Sequence, residues 1–232
     1  DMPKRFIAEL AASLGLADTS LPAYEDLEAK LKSIGSDETT NLLPRFSRSQ
    51  RAFISRPLPN DIGEKWQAYF EPAGWVLPLD HDGETWSTGE WKLPDGDDLT
   101  LFPGDSPVGL RLPLNRLAEG SIRRGLSVEL RAGELIVFLP PLPSFACFIE
   151  LVRAIEQLAL RLDLPPVRLE GYPPPGDEDL ESMALTSDPG VLEVNLPPAA
   201  NWPDYERVMR GLFKSAESIG MRAYKYQLSG RQ

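Results

Sequence analysis

The chain has 232 residues, with 24 Lys or Arg against 35 Asp or Glu, so its formal net charge is −11. Apolar residues make up 42% and charged residues 25%, which is the composition of a folded globular protein and excludes a disordered chain. Because an acidic surface repels phosphate groups, we expect no binding to nucleic acid or to anionic membranes.

A single cysteine, Cys147, excludes an internal disulfide and a Cys-rich zinc site, and it fits a reducing compartment. We therefore expect a cytoplasmic protein. Cys147 lies on an apolar helical face, which favours a core residue over a nucleophile. The most apolar stretch, 135–149, is too short to span a bilayer and contains three prolines.

The first half of the chain predicts helices followed by short strands. Apolar residues at helical spacing predict one helix over 3–16 and a second over 22–34, and a glycine stands at the end of each. Residues 36–60 show no sustained period and predict a loop region with a short helix. Between 74 and 113, short apolar runs separated by Asp, Gly and Pro predict short antiparallel strands.

The second half alternates strands and helices. The predicted elements are a hairpin over 121–140 turning at Ala132 and Gly133, a helix over 144–162, strands over 167–172 and 191–196 joined by an acidic, proline-rich connection, a helix over 202–219 with Asn201 as N-cap, and a strand over 221–228. This order predicts an α+β fold with a mainly antiparallel sheet and helices packed on one face. We place a domain boundary at 120/121, between a smaller mixed region of helices and short strands (1–120) and an α+β domain (121–232).

Two short motifs are weak indications of chemistry. Residues 80–83 (DHDG) resemble the Asp-x-Asp loop of haloacid-dehalogenase-type phosphotransferases, but Glu84 stands where those enzymes need Thr or Val, so a hairpin turn is favoured. Residues 104–107 (GDSP) resemble the Gly-Asp-Ser start of some serine esterases. A serine nucleophile needs a base, and His81, the one histidine, lies upstream, so a plain turn is favoured here too.

Three strand segments carry an acidic residue between apolar neighbours, namely Glu129, Glu170 and Glu193. A carboxylate facing a dry core is costly, so each either faces solvent or meets a cation. By alternation Glu193 and Asn195 share one face of their strand. If Glu170 points to the same side of an adjacent strand, their oxygens could converge on Mg²⁺. A solvated outer face of the sheet is the alternative.

Several longer segments carry a family resemblance. They are LPAYED (21–26), GWVLPL (74–79), FPGDSPVGLRLPL (102–114), VFLPPLPSFACFIELVRAIE (137–156), VRLEGYPPP (167–175) and LTSDPGVLEVNLPPAANWPDY (185–205). With these segments the chain resembles a large bacterial family described as amidoligases, whose members are often fused to a transglutaminase-like domain. The resemblance implies a glutamine-synthetase-like carboxylate–amine ligase fold. In such ligases acidic strand residues hold Mg²⁺, and ATP activates a carboxylate as an acyl phosphate for attack by an amine.

The resemblance also implies roles for particular residues. Glu170 in RLEGY and Glu193 in DPGVLEVNLPP match acidic positions of the family and are expected to be ligands of Mg²⁺ or of the nucleotide, with Asn195 as a supporting polar contact and Glu129 as a further candidate metal ligand. Arg168 and Arg111 are candidates to face the phosphates of ATP. The implied substrates are a carboxylate, which could belong to a peptide, and an amine.

Two departures from the family pattern leave a second interpretation open. Members tend to have His where Pro197 follows Leu196 here, and the chain ends at YQLSGRQ, before a Gly-rich segment that ends in Asn-His. We therefore expect a fragment or a reduced member of the family. The alternative is a non-catalytic structural or protein-interaction domain of a larger transglutaminase-associated protein, with Trp75, Trp86 and Trp91 as a binding surface unless they belong to the core.

Overall fold

The computed structural model describes residues 1–26, 71–94, 98–178, 180–188 and 191–222. The chain divides into two compact units, Asp1–Asp177 and Glu178–Gln232. Each unit is described by itself below.

The first unit is built on a mixed six-stranded sheet. Its elements are α1 (Met2–Ser13), β1 (Leu21–Tyr24), β2 (Gly74–Pro78), β3 (Asp80–His81), β4 (Trp86–Ser87), β5 (Leu99–Thr100), β6 (Gly125–Arg131), β7 (Glu134–Leu139), α2 (Phe145–Arg161) and β8 (Arg168–Gly171). The sheet order is β5-β1-β2-β6-β7-β8, and β3 and β4 form a separate small hairpin. The β1–β2, β2–β6 and β6–β7 pairs are antiparallel, whereas β1–β5 and β7–β8 are parallel. The predicted α+β class is confirmed.

The two helices that the structure describes in this unit, α1 and α2, pack on one face of the sheet, as predicted. Helix α1 buries Phe6, Ile7, Leu10 and Ala11, and helix α2 buries Leu151, Ile155 and Leu158, against strand residues that include Leu77, Leu126, Val128 and Val137. Each helix begins at a side-chain cap, because Asp1 accepts from the amide of Lys4 and Ser144 accepts from the amide of Cys147. The predicted helices over 3–16 and 144–162 are therefore confirmed.

On the opposite face of the sheet, the described residues that cover it are irregular chain. Its core joins Ala23 and Val76 of the sheet to residues from the segment 91–117, including Trp91, Leu99, Leu101 and Val108. Two 3-10 turns, Val108–Leu110 and Leu114–Arg116, lie in this segment. The indole N–H of Trp91 donates to the carbonyl of Ile122 at 2.7 Å, so this tryptophan belongs to the core.

The helix predicted over 22–34 is wrong where the structure describes it. Residues 22–24 belong to β1, where Pro22 stands opposite Trp75 and Ala23 is fully buried between Gly74 and Leu99. Pairing on both sides of this strand outweighs the helical spacing of its apolar residues. Residues 27–34, and the loop region predicted over 36–60, lie outside the described residues.

The strand predictions between 74 and 140 are confirmed with two corrections. The hairpin of β6 and β7 turns at Ala132 and Gly133, both of which have positive φ. However, β5 pairs in parallel with β1, and the segment after Pro107 forms 3-10 turns instead of a strand. Prolines at 107 and 113 stand directly before these turns, where their fixed φ suits a turn and their missing N–H does not disturb a strand ladder.

The second unit contains β9 (Ala184–Asp188), β10 (Val191–Asn195) and α3 (Trp202–Ser218). The two strands form an antiparallel pair, and the Asn201 side chain caps α3 by accepting from the amide of Asp204 at 3.0 Å. The predicted strand over 191–196 and helix over 202–219 are confirmed, whereas β9 lies in the stretch predicted as a connection. Only Met221 and Arg222 of the predicted strand over 221–228 are described.

The two compact units divide at 177/178, and β2 pairs with β6 across the predicted domain boundary at 120/121. That boundary stays a prediction. Among the described residues, no helix has both the length and the apolar character that crossing a membrane requires.

Candidate functional site

Three of the predicted site residues lie on one face of the sheet in the first unit. Register pairs Glu129 with Ile136 and Ile136 with Arg168, while Phe138 pairs with Glu170. Since paired residues on neighbouring strands share a face, Glu129, Arg168 and Glu170 all lie on the face opposite α1 and α2.

Arg131 joins the two carboxylates on this face. Its two terminal nitrogens donate to the two oxygens of Glu170 at 3.2 Å each, and Nη2 also donates to Glu129. Burial of the guanidinium acts to lower the pKa of Arg131, but the hydrogen bonds that it donates to Glu129 and Glu170, together with their charges, outweigh this effect, and the pKa is raised. Glu129 and Glu170 therefore meet a cation, and that cation is the side chain of Arg131.

Arg168 adds a second guanidinium to the same cluster. Its Nε lies 3.1 Å from Oε1 of Glu170, and its Nη1 lies 3.6 Å from Oε2 of Glu134. The Arg168 side chain is 59% exposed, whereas that of Glu170 is only 17% exposed. Solvent and ligands can thus reach Arg168 and also Arg131, whose side chain is 41% exposed.

A pocket of about 290 Å³ opens beside Glu170. It is lined by Pro107 and Leu110 from the loop after β5, by Phe138 of β7, and by residues 170–172 at the end of β8. The Phe138 and Tyr172 rings meet edge to face, with centroids 6.2 Å apart. Two segments that carry the family resemblance, around GDSPVGLR and RLEGY, therefore meet at one pocket with aromatic walls and one carboxylate.

Two glycines in these segments allow the close approach that shapes the pocket. Gly171 has φ +107°, and a Cβ at this position would lie 2.3 Å from the carbonyl oxygen of Leu139. A Cβ on Gly109 would lie 2.0 Å from the Phe138 ring. Because a side chain at either position collides with its neighbour, both segments need glycine here.

Arg111, a predicted phosphate contact, is buried and already engaged. Its terminal nitrogens form a bidentate ion pair with Glu25 at 2.7 and 2.8 Å, and its Nε donates to the carbonyl of Ser106 at 2.7 Å. The hydrogen bond to Glu25 is the main reason that the pKa of Arg111 is raised, and the charge of Glu129 contributes. Arg111 therefore connects the loop after β5 that lines the pocket (here called the pocket loop) to Glu25, the residue that follows β1.

Glu193 and Asn195 lie in the second unit, on β10. Both are exposed and stand two residues apart on one strand face, opposite Thr186 and Ala184 of β9. Glu129, Arg168 and Glu170 are brought together in the first unit, with Arg111 in electrostatic reach of Glu129. The convergence of Glu170 with Glu193 and Asn195 on one ion stays a prediction.

Within the part of the chain that the structure describes, no group of three or more His, Cys, Asp or Glu side chains could hold a metal ion. The residue that sequence reasoning missed is Arg131. Its signal was present, since Arg131 follows Glu129 by two positions and so shares its strand face.

The DHDG motif is a turn, and the tryptophans considered as a binding surface are buried or half-buried. Asp82 accepts from the amides of Glu84 and Thr85 at 2.8 Å each, which closes the hairpin of β3 and β4. Trp75 and Trp86 are half-buried, and their indole N–H groups donate to Asp1 and Glu150.

Comparison with known proteins gives one family match. The model of a family described as "Putative amidoligase enzyme (DUF2126)" matches the chain twice, over residues 1–121 and 115–232. No curated protein and no solved structure matches the chain. Together the two ranges span all of the residues from 1 to 232, and they meet near the predicted 120/121 division.

Proposed function

Since the chain belongs to this amidoligase family, we propose that it is part of an ATP- and Mg²⁺-dependent ligase that joins a carboxylate to an amine through an acyl phosphate. The observation that carries the proposal is the family match, which extends over the whole chain. The ligase class follows from that membership, while the nucleotide, the metal and the acyl phosphate are the proposed part.

The carboxylates of the first unit do not fit a magnesium ion as they are arranged. Glu129 and both oxygens of Glu170 accept from Arg131, and Arg168 lies against Oε1 of Glu170. A divalent cation at this pair would have to displace a guanidinium that already satisfies the same oxygens. We therefore assign Glu129 and Glu170 to positioning Arg131 and Arg168 rather than to the metal.

The second unit offers donors of the right kind for the metal. Glu193, Asn195 and Thr186 lie on one face of the β9–β10 pair and offer oxygen atoms that suit Mg²⁺, namely those of a carboxylate, an amide carbonyl and a hydroxyl. Bound there, the metal would neutralise phosphate charge. Glu193 is the residue on which this role depends most, since it supplies the negative charge.

The pocket of the first unit suits a flat ring that carries an amine donor. Its walls are the Phe138 and Tyr172 rings with Pro107 and Leu110, and its polar group is the carboxylate of Glu170. Oε2 of Glu170 has one guanidinium partner where Oε1 has two, so Oε2 can accept a further hydrogen bond. An adenine ring with its exocyclic amine has this character, and the exposed guanidinium of Arg168 lies beside it for phosphate.

Carboxylate activation can be tested without knowing the natural amine. Hydroxylamine replaces the amine, and a panel of peptides with free carboxylates supplies the other substrate, so that product is a hydroxamate formed together with ADP and phosphate. We expect hydroxamate that requires ATP and Mg²⁺ and disappears in Glu193→Gln. The matched control is Glu217→Gln, an exposed carboxylate on α3 of the same unit. ADP release at the same rate with and without an added carboxylate would contradict ligase activity.

Other expectations from the sequence remain proposals about partners and location. We propose that the protein acts in the cytoplasm, where a free thiol such as that of Cys147 stays reduced. Carboxylate and amine substrates are the proposed ligands, with no role for nucleic acid or membrane. A transglutaminase-like domain is the proposed protein partner.

A second candidate function is a non-catalytic interaction domain of a larger transglutaminase-associated protein. The observation that favours it is the neutralisation of Glu129 and Glu170 by arginines. These ion pairs stabilise the sheet face, and they occupy carboxylate oxygens that a metal ion would need. In that case ATP should not bind, and the chain should form a complex with a transglutaminase-like domain in size-exclusion chromatography. ATP binding without any such complex would contradict this alternative.

A further inference from the structure

Strand β8 lies at one edge of the six-stranded sheet. Among the strands that the structure describes, it pairs with one neighbour, β7, and the sheet order ends with it. The strand is exposed, since the side chain of Arg168 is 59% exposed and Leu169 is 40% exposed. An edge strand presents backbone N–H and C=O groups that a strand of another chain can pair with.

The backbone groups of Leu169 are the ones that point to the free side of β8. The amide of Tyr172 donates to the carbonyl of Leu139 in β7 at 3.1 Å, and alternate residues of a strand direct their backbone groups to the same side. Glu170, two residues before Tyr172, therefore directs its N–H and C=O to β7. Leu169 is out of step with both, so its N–H and C=O face away from β7.

This edge is complementary to itself. In an antiparallel pair with a two-fold axis at Leu169, this residue stands opposite Leu169 of the second copy, and the two can exchange both N–H···O=C bonds. The same register sets Arg168 opposite Glu170 of the second copy, and Glu170 opposite Arg168 of the second copy. Opposite charges directly across a strand pair are stabilising, and this register contains two such pairs.

The neighbouring symmetric registers set like charges against each other. An axis at Arg168 places two guanidinium groups directly opposite, and an axis at Glu170 places two carboxylates opposite, which is destabilising in both cases. An axis between two residues would pair side chains from opposite faces of the sheet, which the alternation of a strand does not allow. The charges of β8 therefore select the register centred on Leu169.

The side chain of Leu169 adds an apolar contact to this pairing. Leu169 pairs with Val137 of β7, which is fully buried in the core beneath the helices, so both lie on that face of the sheet. At the edge Leu169 is 40% exposed, and the two leucines would cover each other across the axis. Pro166 and Pro173 stand on either side of β8 and limit the paired segment to a few residues.

We propose that the chain forms a symmetric dimer in which β8 pairs with β8 of a second copy. A two-fold contact uses the same surface on both copies, so assembly through it stops at the dimer. Because the paired segment is short, the interface falls below the roughly 1,200 Å² of stable complexes and the dimer is weak. Glu170 lines the pocket, so each copy places its Arg168 beside the pocket of the other. The proposal does not depend on the ligase assignment.

Sedimentation equilibrium of the full chain without ligand tests the dimer. The mass should rise with concentration from the 25.7 kDa of one chain toward twice that value. We expect half of the chains to be dimeric at about 100 µM and most of them at about 1 mM. A monomer over this whole range, or a mass that passes beyond the dimer, would overturn the proposal.

Amide hydrogen exchange identifies the surface that pairs. The Leu169 amide faces the free edge in the monomer and is bonded in the dimer, so its exchange should be about fivefold slower at about 1 mM chain than in dilute chain. The Glu170 amide faces β7 in both states and should not change with concentration. A dimer in which the exchange of Leu169 is as fast as in dilute chain would show that another surface pairs.

A charge reversal tests the register. Arg168→Glu sets carboxylates opposite Glu170 on both sides of the axis, so we expect the dissociation constant of the dimer to rise about tenfold or more. The control is Arg5→Glu, which has the same charge change on α1, a helix that packs on β2 and β6, and it should keep the wild-type constant. A folded Arg168→Glu chain with the wild-type constant would overturn the register. If circular dichroism shows that this variant does not fold, the exchange of Leu169 in the wild-type chain decides by itself.

Discussion

At the scale of single residues, the cluster of Glu129, Arg131 and Glu170 shows how a charge is accommodated on a buried strand. The sequence pattern indicates that a carboxylate between apolar neighbours meets either solvent or a cation. It does not say which cation, because that depends on the register of β6, β7 and β8, which places Arg131 within reach of both carboxylates. The oxygen donors on the strands and the family resemblance both suggest a metal ion, whereas the arginine follows from the pairing of the strands.

Arg111 gives a stability prediction at this scale. Arg111→Gln removes a buried bidentate partner of Glu25 and the donor to Ser106, so we expect a loss of about 3 kcal/mol in the free energy of unfolding. The matched control is Arg5→Gln, which breaks an exposed pair on α1 and should cost about 0.5 kcal/mol or less. Urea unfolding of both variants measures their free energies of unfolding. If the two variants lost equal amounts, the contacts of Arg111 would not stabilise the pocket loop.

Asp82 gives a prediction of pH dependence. The pKa of its carboxyl is lowered, chiefly because the amide of Thr85 donates to it and then because that of Glu84 does. A folded-state pKa below the unfolded-state value means that the carboxylate stabilises the hairpin at neutral pH, and that this contribution is lost as the pH falls through the lowered pKa. Carboxyl-carbon NMR titration should find the midpoint of Asp82 below that of the same residue in the urea-unfolded chain. A midpoint at or above the unfolded value would contradict the turn geometry.

At the scale of elements, prediction succeeded where one period dominates and failed where pairing decides. Helices α1, α2 and α3 and the hairpin of β6 and β7 follow directly from apolar spacing, caps and a Gly turn. Strand β1 has helical spacing but is four residues long and is paired on both sides. Strand β9 lacks a strong apolar signal because the side chains of β9 and of its partner β10 are mostly exposed.

The end of β8 offers an element-scale prediction. Gly171→Ala places a Cβ against the Leu139 carbonyl in a backbone conformation that L-residues rarely adopt, so we expect a loss of about 1–3 kcal/mol in the free energy of unfolding. Gly89→Ala is the control, since its Cβ would meet only Ile122 at an ordinary 3.7 Å. Urea unfolding compares the two variants. A Gly171→Ala chain as stable as Gly89→Ala would show that the end of β8 can relax.

At the scale of the whole molecule, the division into units depends on long-range pairing. The proposed boundary at 120/121 came from a change in the pattern of elements, but β2 and β6 pair across it, and α1 packs on both strands. Such contacts join residues about 50 to 120 positions apart, and the local pattern does not predict them. The same limit applies to the site, where Glu129, Arg168 and Glu170 were named from the sequence but their common partner Arg131 was not.

The division predicts how fragments behave. A fragment of residues 1–177 retains all six strands of the main sheet with α1 and α2, so it should fold and unfold cooperatively in urea. A fragment of residues 121–232 lacks β1, β2, β5 and α1, which exposes the edge and one apolar face of β6. It should therefore aggregate or remain unfolded by circular dichroism. If the 121–232 fragment were stable and the 1–177 fragment were unfolded, the result would support the predicted domain boundary at 120/121.

The central claim, that this amidoligase-family chain takes part in ATP- and Mg²⁺-dependent ligation, is tested most directly by calorimetric titration of the chain with ATP and Mg²⁺, repeated with EDTA. The account predicts magnesium-dependent binding that EDTA abolishes, that Glu193→Gln loses, and that Glu217→Gln keeps. Two results would contradict this claim: no binding heat in the presence of Mg²⁺, or binding that is changed neither by EDTA nor by Glu193→Gln.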